Sequence, residues 1–283
     1  MPSPPAEVGP ETGLEEERAF VLALGGYALE VAGGTLVAHE RIGVARFNFV
    51  DGPYLAAGRV TAFFERALDH YFQRALRPSF RVRRPVPPHV DSALRGLGFV
   101  PGPLPLVRLS GTPCEAPGPS TPGLEVAAAG PAEAERLADL WTAERERDEL
   151  RRALEVVVYH PNPGERLVPI FARQGAEVVG GAILYERGRC ASVQLTSTQP
   201  AERGRGIATA LVAGALAHAA RDRIERVVLL TEAPRLATHL EPLGFHVDHE
   251  YEEYRLPLDA DLSLPSPGAP TPPRWRPPRG EKT

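Results

Sequence analysis

The sequence predicts a mixed α/β fold, built on a mixed sheet and organised in two domains. Short segments rich in β-branched and aromatic residues alternate with segments whose apolar residues recur at helical spacing. Residues 111–123 contain four prolines and three glycines, which is typical of a linker between domains. The tripeptide Leu-Gly-Phe occurs at residues 97–99 and again at 243–245, 146 positions later, which indicates a duplicated unit on either side of the linker.

Composition narrows the class of protein. The chain has 283 residues, of which 43% are hydrophobic, and this suits a soluble globular protein with two sizeable cores. Its net charge of -4 argues against nucleic acid or an anionic membrane as partner. Two cysteines, Cys114 and Cys190, are too few for a disulfide framework. The sequence shows no secretory or membrane-spanning segment, so we expect a cytoplasmic protein that is a monomer or a homodimer.

The first domain is predicted to cover residues 14–110, after a disordered segment at 1–13. Phe20 and Leu24 indicate a helix that begins near Glu15, and later elements follow from β-branched runs and one long amphipathic pattern. These later elements are hairpin strands at Tyr27–Val31 and Thr35–Ala38, a strand at Ile42–Val50, a helix at 55–75, a strand at Ser79–Val82, a helix at Val90–Arg95 and a strand at Leu106–Leu109.

The second domain is predicted to cover residues 124–258, before a disordered tail at 259–283. The tail carries Trp275 among prolines, and polyproline docking is its alternative role. Pro131 fits the first turn of a helix, and a second helix follows through Leu154. The other expected elements are strands at Leu124–Ala128, Val168–Arg173, Val178–Glu186, Ala191–Thr198 and Arg226–Thr231, a helix that starts inside the glycines of residues 204–206 and runs to about Arg221, a helix at Arg235–Leu240, and a strand pair that opens at Phe245.

A glycine-rich turn joins the strand predicted at Ala191–Thr198 to the helix predicted to run to about Arg221. The helix begins inside the glycines, so its first N–H groups lack intrahelical partners and point along the positive end of the helix dipole. Glycine lets an anion approach the backbone closely, and arginine adds positive charge. The turn therefore predicts a phosphate or pyrophosphate site, whose candidate residues are Arg203, Gly204, Arg205, Gly206, Ile207 and Ala208.

Three phosphate-binding loops compete for this turn, and an exposed turn without a ligand remains an alternative to them. A Walker loop needs a lysine, and the single lysine of the chain is Lys282, in the tail. A dinucleotide fingerprint requires a small residue three places after Gly206, where this sequence has Thr209, so the match is weak. Glu225 lies at a tolerable distance for a ribose contact. The third pattern is Arg-x-x-Gly-x-Ala, which residues 203–208 satisfy, with Pro200 three places upstream.

This third pattern resembles the coenzyme A loop of the GNAT acyltransferase superfamily, and the resemblance extends over roughly residues 123–257. Strand, glycine loop, helix, strand, short helix, Leu-Gly-Phe and strand follow in the order of a GNAT C-terminal half. The resemblance implies two tandem GNAT-like domains, acetyl-CoA or another acyl-CoA as cofactor, and acyl transfer to a primary amine of a small molecule or peptide. The first domain has Asp51-Gly52-Pro53-Tyr54 in the place of the loop, so we expect it to be a degenerate copy that does not hold the cofactor.

Acyl transfer to an amine requires removal of a proton from the amine, stabilisation of a developing oxyanion and protonation of the departing thiolate. The resemblance implies that main-chain N–H groups near Thr196 and Thr198 also meet the cofactor. Many members of the family place a tyrosine as proton donor where this sequence has Leu240. The remaining candidates for proton transfer are Glu232 and His239, and each has a solvated surface residue as its alternative.

Three functions stay open at this point. An N-acetyltransferase is the leading hypothesis, and a catalytically silent acyl-CoA-binding sensor or regulatory protein is the alternative that Leu240 supports. A structural protein without a ligand has no need of the arginine and glycine loop, which disfavours it. No metal is expected, because His239, His246 and His249 show neither helical nor zinc-finger spacing.

Overall fold

The computed structural model describes residues 14–52, 55–115, 121–130, 135–140, 148–154, 161–232 and 234–257. Within these ranges, twelve strands form one mixed sheet with both parallel and antiparallel pairs, which confirms the predicted fold class. The strands are β1 (Tyr27–Val31), β2 (Gly34–Ala38), β3 (Phe49–Asp51), β4 (Ser79–Arg83), β5 (Val100–Pro101), β6 (Leu106–Gly111), β7 (Leu124–Ala128), β8 (Glu165–Gln174), β9 (Glu177–Arg187), β10 (Cys190–Thr198), β11 (Arg226–Thr231) and β12 (Phe245–Arg255).

The two longest helices lie where the sequence has its long stretches of apolar residues at helical spacing. They are α1 (Glu15–Ala23), α2 (Ala57–Phe72), α3 (Pro88–Gly96), α4 (Glu135–Leu140), α5 (residues 148–154), α6 (Ile207–Arg221) and α7 (Pro234–Leu240). The bounds predicted for β11 are confirmed at both ends, and α6 ends at Arg221 as predicted, while its first helical residue is Ile207, directly after the glycines. None of the helices in the described ranges has the length and apolar character needed to cross a bilayer.

The same succession of elements occurs in both halves of the chain. Each half contributes one parallel pair, β3 with β4 and β10 with β11, and a long helix, α2 or α6, connects the two strands. A short helix and Leu-Gly-Phe follow in each half, and Gly98 and Gly244 both have a left-handed φ of 84° at this point. The spacing that predicted a duplicated unit therefore corresponds to equivalent structural positions.

The two halves exchange their last strands. The sheet order is β1-β2-β3-β4-β12-β6-β11-β10-β9-β8-β7, so β6 lies beside β11, and β12 lies beside β4. β12 is one strand of 11 residues, which pairs with β6 as far as Tyr251 and with β4 from Tyr251 to Arg255. The strand pair predicted after Phe245 is therefore wrong. The predicted domains, 14–110 and 124–258, stay a prediction, because their strands share one sheet.

A side-chain amide shortens the strand predicted at Ile42–Val50, of which only the end is extended, in β3. Asn48 Nδ2 donates to the carbonyl oxygens of Ile42 and Val44, over 2.6 and 3.1 Å. These bonds fold the preceding residues into a turn, because a side-chain amide competes with the sheet for main-chain groups. The disorder predicted at 1–13 and 259–283 and the helix start predicted at Pro131 lie outside the described residues.

Helix α1 packs across the junction of the two halves. It precedes the first strand in sequence, yet the ring of Phe20 lies 5.7 Å from the ring of Tyr185 on β9. Both rings belong to a buried cluster that also includes Phe47, Leu137 and Leu230, so one hydrophobic core spans both halves. Helix α1 of the first half is thereby packed against β9 of the second half.

Close packing also places the start of α6. A Cβ atom at Gly180 on β9 would lie 2.8 Å from Cγ2 of Ile207 and 3.0 Å from the carbonyl oxygen of Ser197. Only glycine lets the first turn of α6 approach β9 and β10 this closely. A Cβ atom at Gly214, in the middle of α6, would lie 2.5 Å from Cγ1 of Val126 on β7, so this contact also requires glycine. The sheet therefore holds the N-terminus of α6 in a defined position.

Candidate active site

A cleft opens where β10 and β11 separate. The two parallel strands pair only from Cys190 with Arg226 to Val193 with Leu229, and no further β10–β11 pair is formed between the described residues of these strands. Just past this point Leu195 is buried with a left-handed φ of 52°, and the register of β10 with β9 shifts. A non-glycine residue in this conformation is strained, and such bulges recur next to binding sites.

The N-terminus of α6 lies at this cleft without a side-chain cap. Gly206 is the N-cap residue and has a left-handed φ of 78°, and no side chain of the described residues caps the helix's first N–H groups. Its carbonyl oxygen accepts the bond from Ala210 N at 3.0 Å, so the N–H groups of the preceding helical residues have no partner within the helix. Gly204 has φ of 80° and open space where a Cβ would stand. The predicted loop therefore presents main-chain donors to an anion.

The two arginines of the loop differ in their surroundings. Arg205 forms an ion pair with Glu202 of the same turn, so its charge is already compensated. Arg203 is exposed, and its side chain makes no ion pair or hydrogen bond with the described residues. Thr121, just before β7, donates a hydrogen bond of 2.7 Å to the carbonyl oxygen of Arg205 and anchors the loop. Arg203 is thus the better placed of the two to attract a phosphate.

A cavity of about 390 Å³ continues from the cleft towards the first half. Thr196, Ala208, Thr231 and Glu232 line its second-half side, so it borders both the splayed strands and the first turn of α6. The hydroxyl oxygen of Thr196 is buried and has no hydrogen-bond partner among the described residues. The volume of the cavity is in the range of sites that bind small molecules.

Charged residues of the first half and of β12 line the other side, and they include Glu17 of α1, Arg46, Arg81 of β4 and Arg255 of β12. Below them lies Glu253, which is 2% exposed, and Oε1 of its carboxylate lies 3.2 Å from Nε of Arg81. Arg255 pairs with the same carboxylate and with that of Glu232. Burial works to raise the pKa of Glu253, but the two guanidinium charges outweigh it and hold the pKa below its usual range.

Glu17 and Arg81 keep polar atoms unpaired inside this cavity. Glu17 is 6% exposed, and neither of its carboxylate oxygens accepts a hydrogen bond from another described residue. Burial, and then the neighbouring Glu16 carboxylate, raise the pKa of Glu17. Arg81 is 3% exposed, and its Nη1 also lacks a partner in the described part of the chain. Unpaired buried ionic groups are costly in a folded protein, and they are typical of sites that bind a ligand.

The residues predicted for proton transfer are not brought together. Glu232 lies at the cavity, with its side chain 55% exposed and paired with Arg255. His239 is exposed on α7 and does not line the cavity. Leu240 is fully buried in the core of the second half, and Leu236, one turn earlier, faces the cavity. Among the described residues that line the cavity, the carboxylates of Glu17 and Glu232 are the side chains able to accept a proton.

Sequence reasoning missed the contribution of the first half. Glu17, Arg46 and Arg81 read as ordinary surface charges, since neither helical nor strand spacing separates a buried charge from an exposed one. The signal that exists is weak: Glu17 belongs to a run of acidic residues on the same helix that carries Phe20. Only the packing of α1 and β4 against the other half shows that these charges are buried.

A separate cluster has the composition of a metal site. The side-chain ligand atoms of Glu186, His218 and Asp222 lie within 4.8 Å of one another. Arg166 is already paired with both carboxylates, at 2.7 Å from that of Glu186, and its charge takes the place of a cation. His239, His246 and His249, considered from the sequence, are not part of this cluster.

Comparison with known proteins agrees with the geometry. Residues 134–245 match the model of the acetyltransferase (GNAT) family. No curated protein matches the chain. Among solved structures, a GCN5-related N-acetyltransferase from Kribbella flavida is 15% identical with a TM-score of 0.62, over 87% of this chain and 95% of that one.

Two further solved structures show the same fold at similar identity. A GCN5-related N-acetyltransferase from Sphaerobacter thermophilus is 16% identical with a TM-score of 0.56, over 79% of this chain and 76% of that one. A tandem GNAT protein from the clavulanic acid biosynthesis pathway is 17% identical with a TM-score of 0.51, over 73% of this chain and 74% of that one. Residues 134–245 therefore match the acetyltransferase (GNAT) family, and the chain shares its fold with solved GCN5-related N-acetyltransferases.

Proposed function

We propose that this protein is an acyl-CoA-dependent N-acyltransferase, with acetyl-CoA as the first donor to test. Its acceptor would be a primary amine of a small molecule or peptide. The observation that carries the proposal is the uncapped N-terminus of α6, which borders the cavity through Ala208. A helix start of this kind binds a phosphate through main-chain N–H groups and the helix dipole.

The residues of the loop fit the diphosphate of an acyl-CoA. The N–H groups at Ile207 and Ala208 are the donors, and Gly204 and Gly206 leave the approach to them open. Arg203 supplies an uncompensated positive charge, whereas Arg205 is held by Glu202. The buried hydroxyl of Thr196 is a polar partner for the part of the ligand that enters the cleft. When bound, the acyl-CoA would supply an acyl group to the acceptor nitrogen, with release of the free thiol; an acceptor that arrives as an ammonium ion loses two protons, of which one ends on the thiolate and one goes to solvent.

The splayed end of β10 is suited to the charge that develops during transfer. Beyond Val193 its backbone no longer pairs with β11, so main-chain groups from Gln194 to Thr198 are turned to the cleft or to β9 alone. A fixed N–H group there stabilises a developing oxyanion without help from a side chain. Glu232, at the exposed rim of the cavity, can pass a proton to solvent. His239 does not line the cavity, so the proposed chemistry does not involve it.

A silent acyl-CoA-binding protein is the alternative that one observation favours. Leu240 stands where many family members have a tyrosine, it is buried in the core, and the described residues that line the cavity include no tyrosine. Departure of the thiolate without a side-chain acid is then required for turnover. We also propose that the first half does not hold a second acyl-CoA, because Asp51 places a negative charge at the equivalent turn.

Titration of the full chain with acetyl-CoA and with CoA tests the cofactor, and thiol release with a panel of amines then separates an enzyme from a silent binder. Gly206→Glu puts a carboxylate where we expect phosphate, and like charges cost several kcal/mol, so affinity should fall at least about 100-fold. Gly188→Glu is the matched control. Gly188 is also left-handed, with φ of 61° and open space beside it, but it lies in the β9–β10 turn.

Both variants carry the same strain of a non-glycine residue at positive φ, about 1–2 kcal/mol, so thermal unfolding should shift by similar amounts. Wild-type affinity in the Gly206→Glu variant would remove the cofactor assignment. CoA binding without thiol release for any amine would leave the silent binder as the function.

A further inference from the structure

The cavity contains unpaired ionic groups of both signs. The Glu17 carboxylate offers two acceptor oxygens without a partner from another described residue. Arg81 offers the N–H groups of Nη1, and Arg255 offers that of Nε, and both of these nitrogen atoms lack a partner within the described ranges. All three side chains line the same cavity. The protein thus presents a carboxylate and guanidinium donors to one cavity without joining them.

Glu17 and the arginines do not satisfy each other. No ion pair within 4.0 Å links Glu17 to Arg81, Arg46 or Arg255 among the described side chains. Arg81 is held in place by other contacts, since Nε lies 3.2 Å from Glu253 and the guanidinium carbon lies 3.9 Å above the ring of Phe49. Its orientation is therefore fixed with Nη1 left over, which is an arrangement that a ligand can complete.

The sum of the charges points to a ligand with both signs. Three carboxylates, those of Glu17, Glu232 and Glu253, face or support the cavity together with three guanidinium groups, those of Arg46, Arg81 and Arg255. Because the two sets balance when all are ionised, a ligand of net charge near zero avoids a buried excess of either sign. A ligand with one cationic and one anionic end also meets both kinds of unpaired atom.

We propose that the acceptor is a small amine that also carries a carboxylate, as amino acids do, with its ammonium group at Glu17 and its carboxylate at Arg81 and Arg255. This inference rests on the proposed function and defines its substrate class. Guanidinium groups bind carboxylates through charge-assisted hydrogen bonds, and a buried carboxylate does the same for an ammonium group. The first half of the chain, through α1 and β4, would then supply acceptor recognition, while the second half supplies the acyl-CoA site.

Glu17 is also suited to take the proton that the ammonium group must lose. An amine attacks only in its neutral form, so one proton has to leave the ammonium nitrogen before the new bond to carbon forms. The carboxylate of Glu17 can accept that proton directly, and burial raises its pKa towards the range in which a carboxylate acts as a base near neutral pH. The same side chain therefore binds the amine and removes its proton.

The test uses the full chain with acetyl-CoA and matched sets of acceptors. Each set contains an α-, β- or γ-amino acid, the same amine without its carboxylate, the acid without its amine, and the aminophosphonate of equal length. Thiol release gives kcat/KM, and a thermal shift in the presence of CoA reports binding without turnover. We expect at least one amino acid to exceed its decarboxylated partner by about tenfold or more, since a lost charged hydrogen bond is worth that much.

Two variants with matched controls localise the effect. Arg81→Met should reduce kcat/KM for the amino acid by about tenfold or more and leave the decarboxylated amine unaffected, whereas Arg83→Met, two residues along β4 and exposed, should change neither. Glu17→Gln should reduce kcat for both classes of amine, and Glu65→Gln, exposed on α2, is its control. CoA affinity should stay at the wild-type value in all four variants.

Loss of CoA binding by the wild-type chain would contradict the proposed function. With CoA binding intact, three results would overturn the acceptor inference: equal use of amines with and without a carboxylate, preference for the aminophosphonates, or neither turnover nor thermal shift with any amino acid. An Arg81→Met variant with unchanged selectivity would also overturn it, and a thermal shift from the amino acid in wild type that disappears in Arg81→Met would support it even without turnover.

Discussion

Arg46 donates a hydrogen bond of 2.9 Å from Nη2 to Oε1 of Gln194, across 148 positions of sequence. Gln194 is 1% exposed and directly precedes the left-handed Leu195, at which β10 leaves β11. The turn before β3 is therefore joined to the point where the cleft opens. The first half is in this way a wall of the site, since it contacts the strand that is expected to meet the thioester.

The close contact between the first turn of α6 and Gly180 allows a first prediction. In Gly180→Ala the new methyl group would lie 2.8 Å from Ile207 Cγ2 and 3.0 Å from a carbonyl oxygen, so the first turn of α6 has to move. Overpacking of this kind costs about 1–3 kcal/mol in the free energy of unfolding, and it displaces the N–H groups proposed to bind phosphate. We expect urea unfolding at lower concentration and weaker binding of CoA by titration.

Gly130→Ala is the control for that substitution, because a Cβ at Gly130 meets open space. It should leave both unfolding and CoA affinity unchanged. Equal CoA affinity in the Gly180→Ala and Gly130→Ala variants would show that the position of the helix start does not govern binding.

Buried charge pairing below the cavity predicts a large loss of stability. Glu253 is 2% exposed and compensates Arg81 and Arg255, so Glu253→Gln leaves the buried Arg81 without its carboxylate partner and Arg255 with Glu232 alone. Removal of one member of a buried pair costs about 3–5 kcal/mol in the free energy of unfolding. Its neighbour Glu252 pairs instead with Arg84, which is 42% exposed, and Glu252→Gln should cost less than about 1 kcal/mol. Similar urea midpoints for the two variants would contradict the assignment of the buried cluster.

Local signals explain which features could be predicted from the sequence. The course of α6 to Arg221 and both bounds of β11 follow from helical spacing and from a β-branched run, which are properties of consecutive residues. The glycine loop was predicted for the same reason, since Gly204 and Gly206 stand directly before the helix and both adopt positive φ. The expectation that Leu240 provides no acid rests on residue type alone, and its burial leaves that expectation unchanged.

Neighbours in space explain what could not be predicted. The pattern of β12 indicates an extended segment, but which strands it joins depends on the exchange between β4 and β6. Glu17 and Arg81 look like any other charged residues until α1 and β4 are packed against the second half. A turn replaces most of the strand expected before Val50 because the side chain of Asn48 donates hydrogen bonds to main-chain oxygens. The residue type of Asn48 does not reveal these bonds in the sequence.

The raised pKa of Glu17 predicts a pH dependence of stability with a definite sign. Burial and the Glu16 carboxylate raise the pKa, and the charges of Arg81 and Arg46 oppose this only in part, while Arg255 and Glu232 line the same cavity. At a pH between the ordinary and the raised pKa, Glu17 therefore keeps a proton in the native chain that it releases in the unfolded chain. The stability that this proton contributes is complete below the ordinary pKa of glutamate and is lost as the pH rises through the raised value.

Glu17→Gln removes this titration, so the difference in unfolding free energy between the variant and wild type should move in favour of the variant as the pH rises from about 4 to 8. Each unit of pKa difference corresponds to about 1.4 kcal/mol. Urea unfolding in a series of buffers measures the difference, and the opposite titration of Glu253, whose stabilisation is lost as the pH falls, cancels because both chains contain it. In the same series, kcat/KM of wild type should rise with ionisation of Glu17, and this limb should be missing from the variant. A pH-independent difference in stability, with an unchanged activity profile, would show that Glu17 is neither the titrating group nor the proton acceptor.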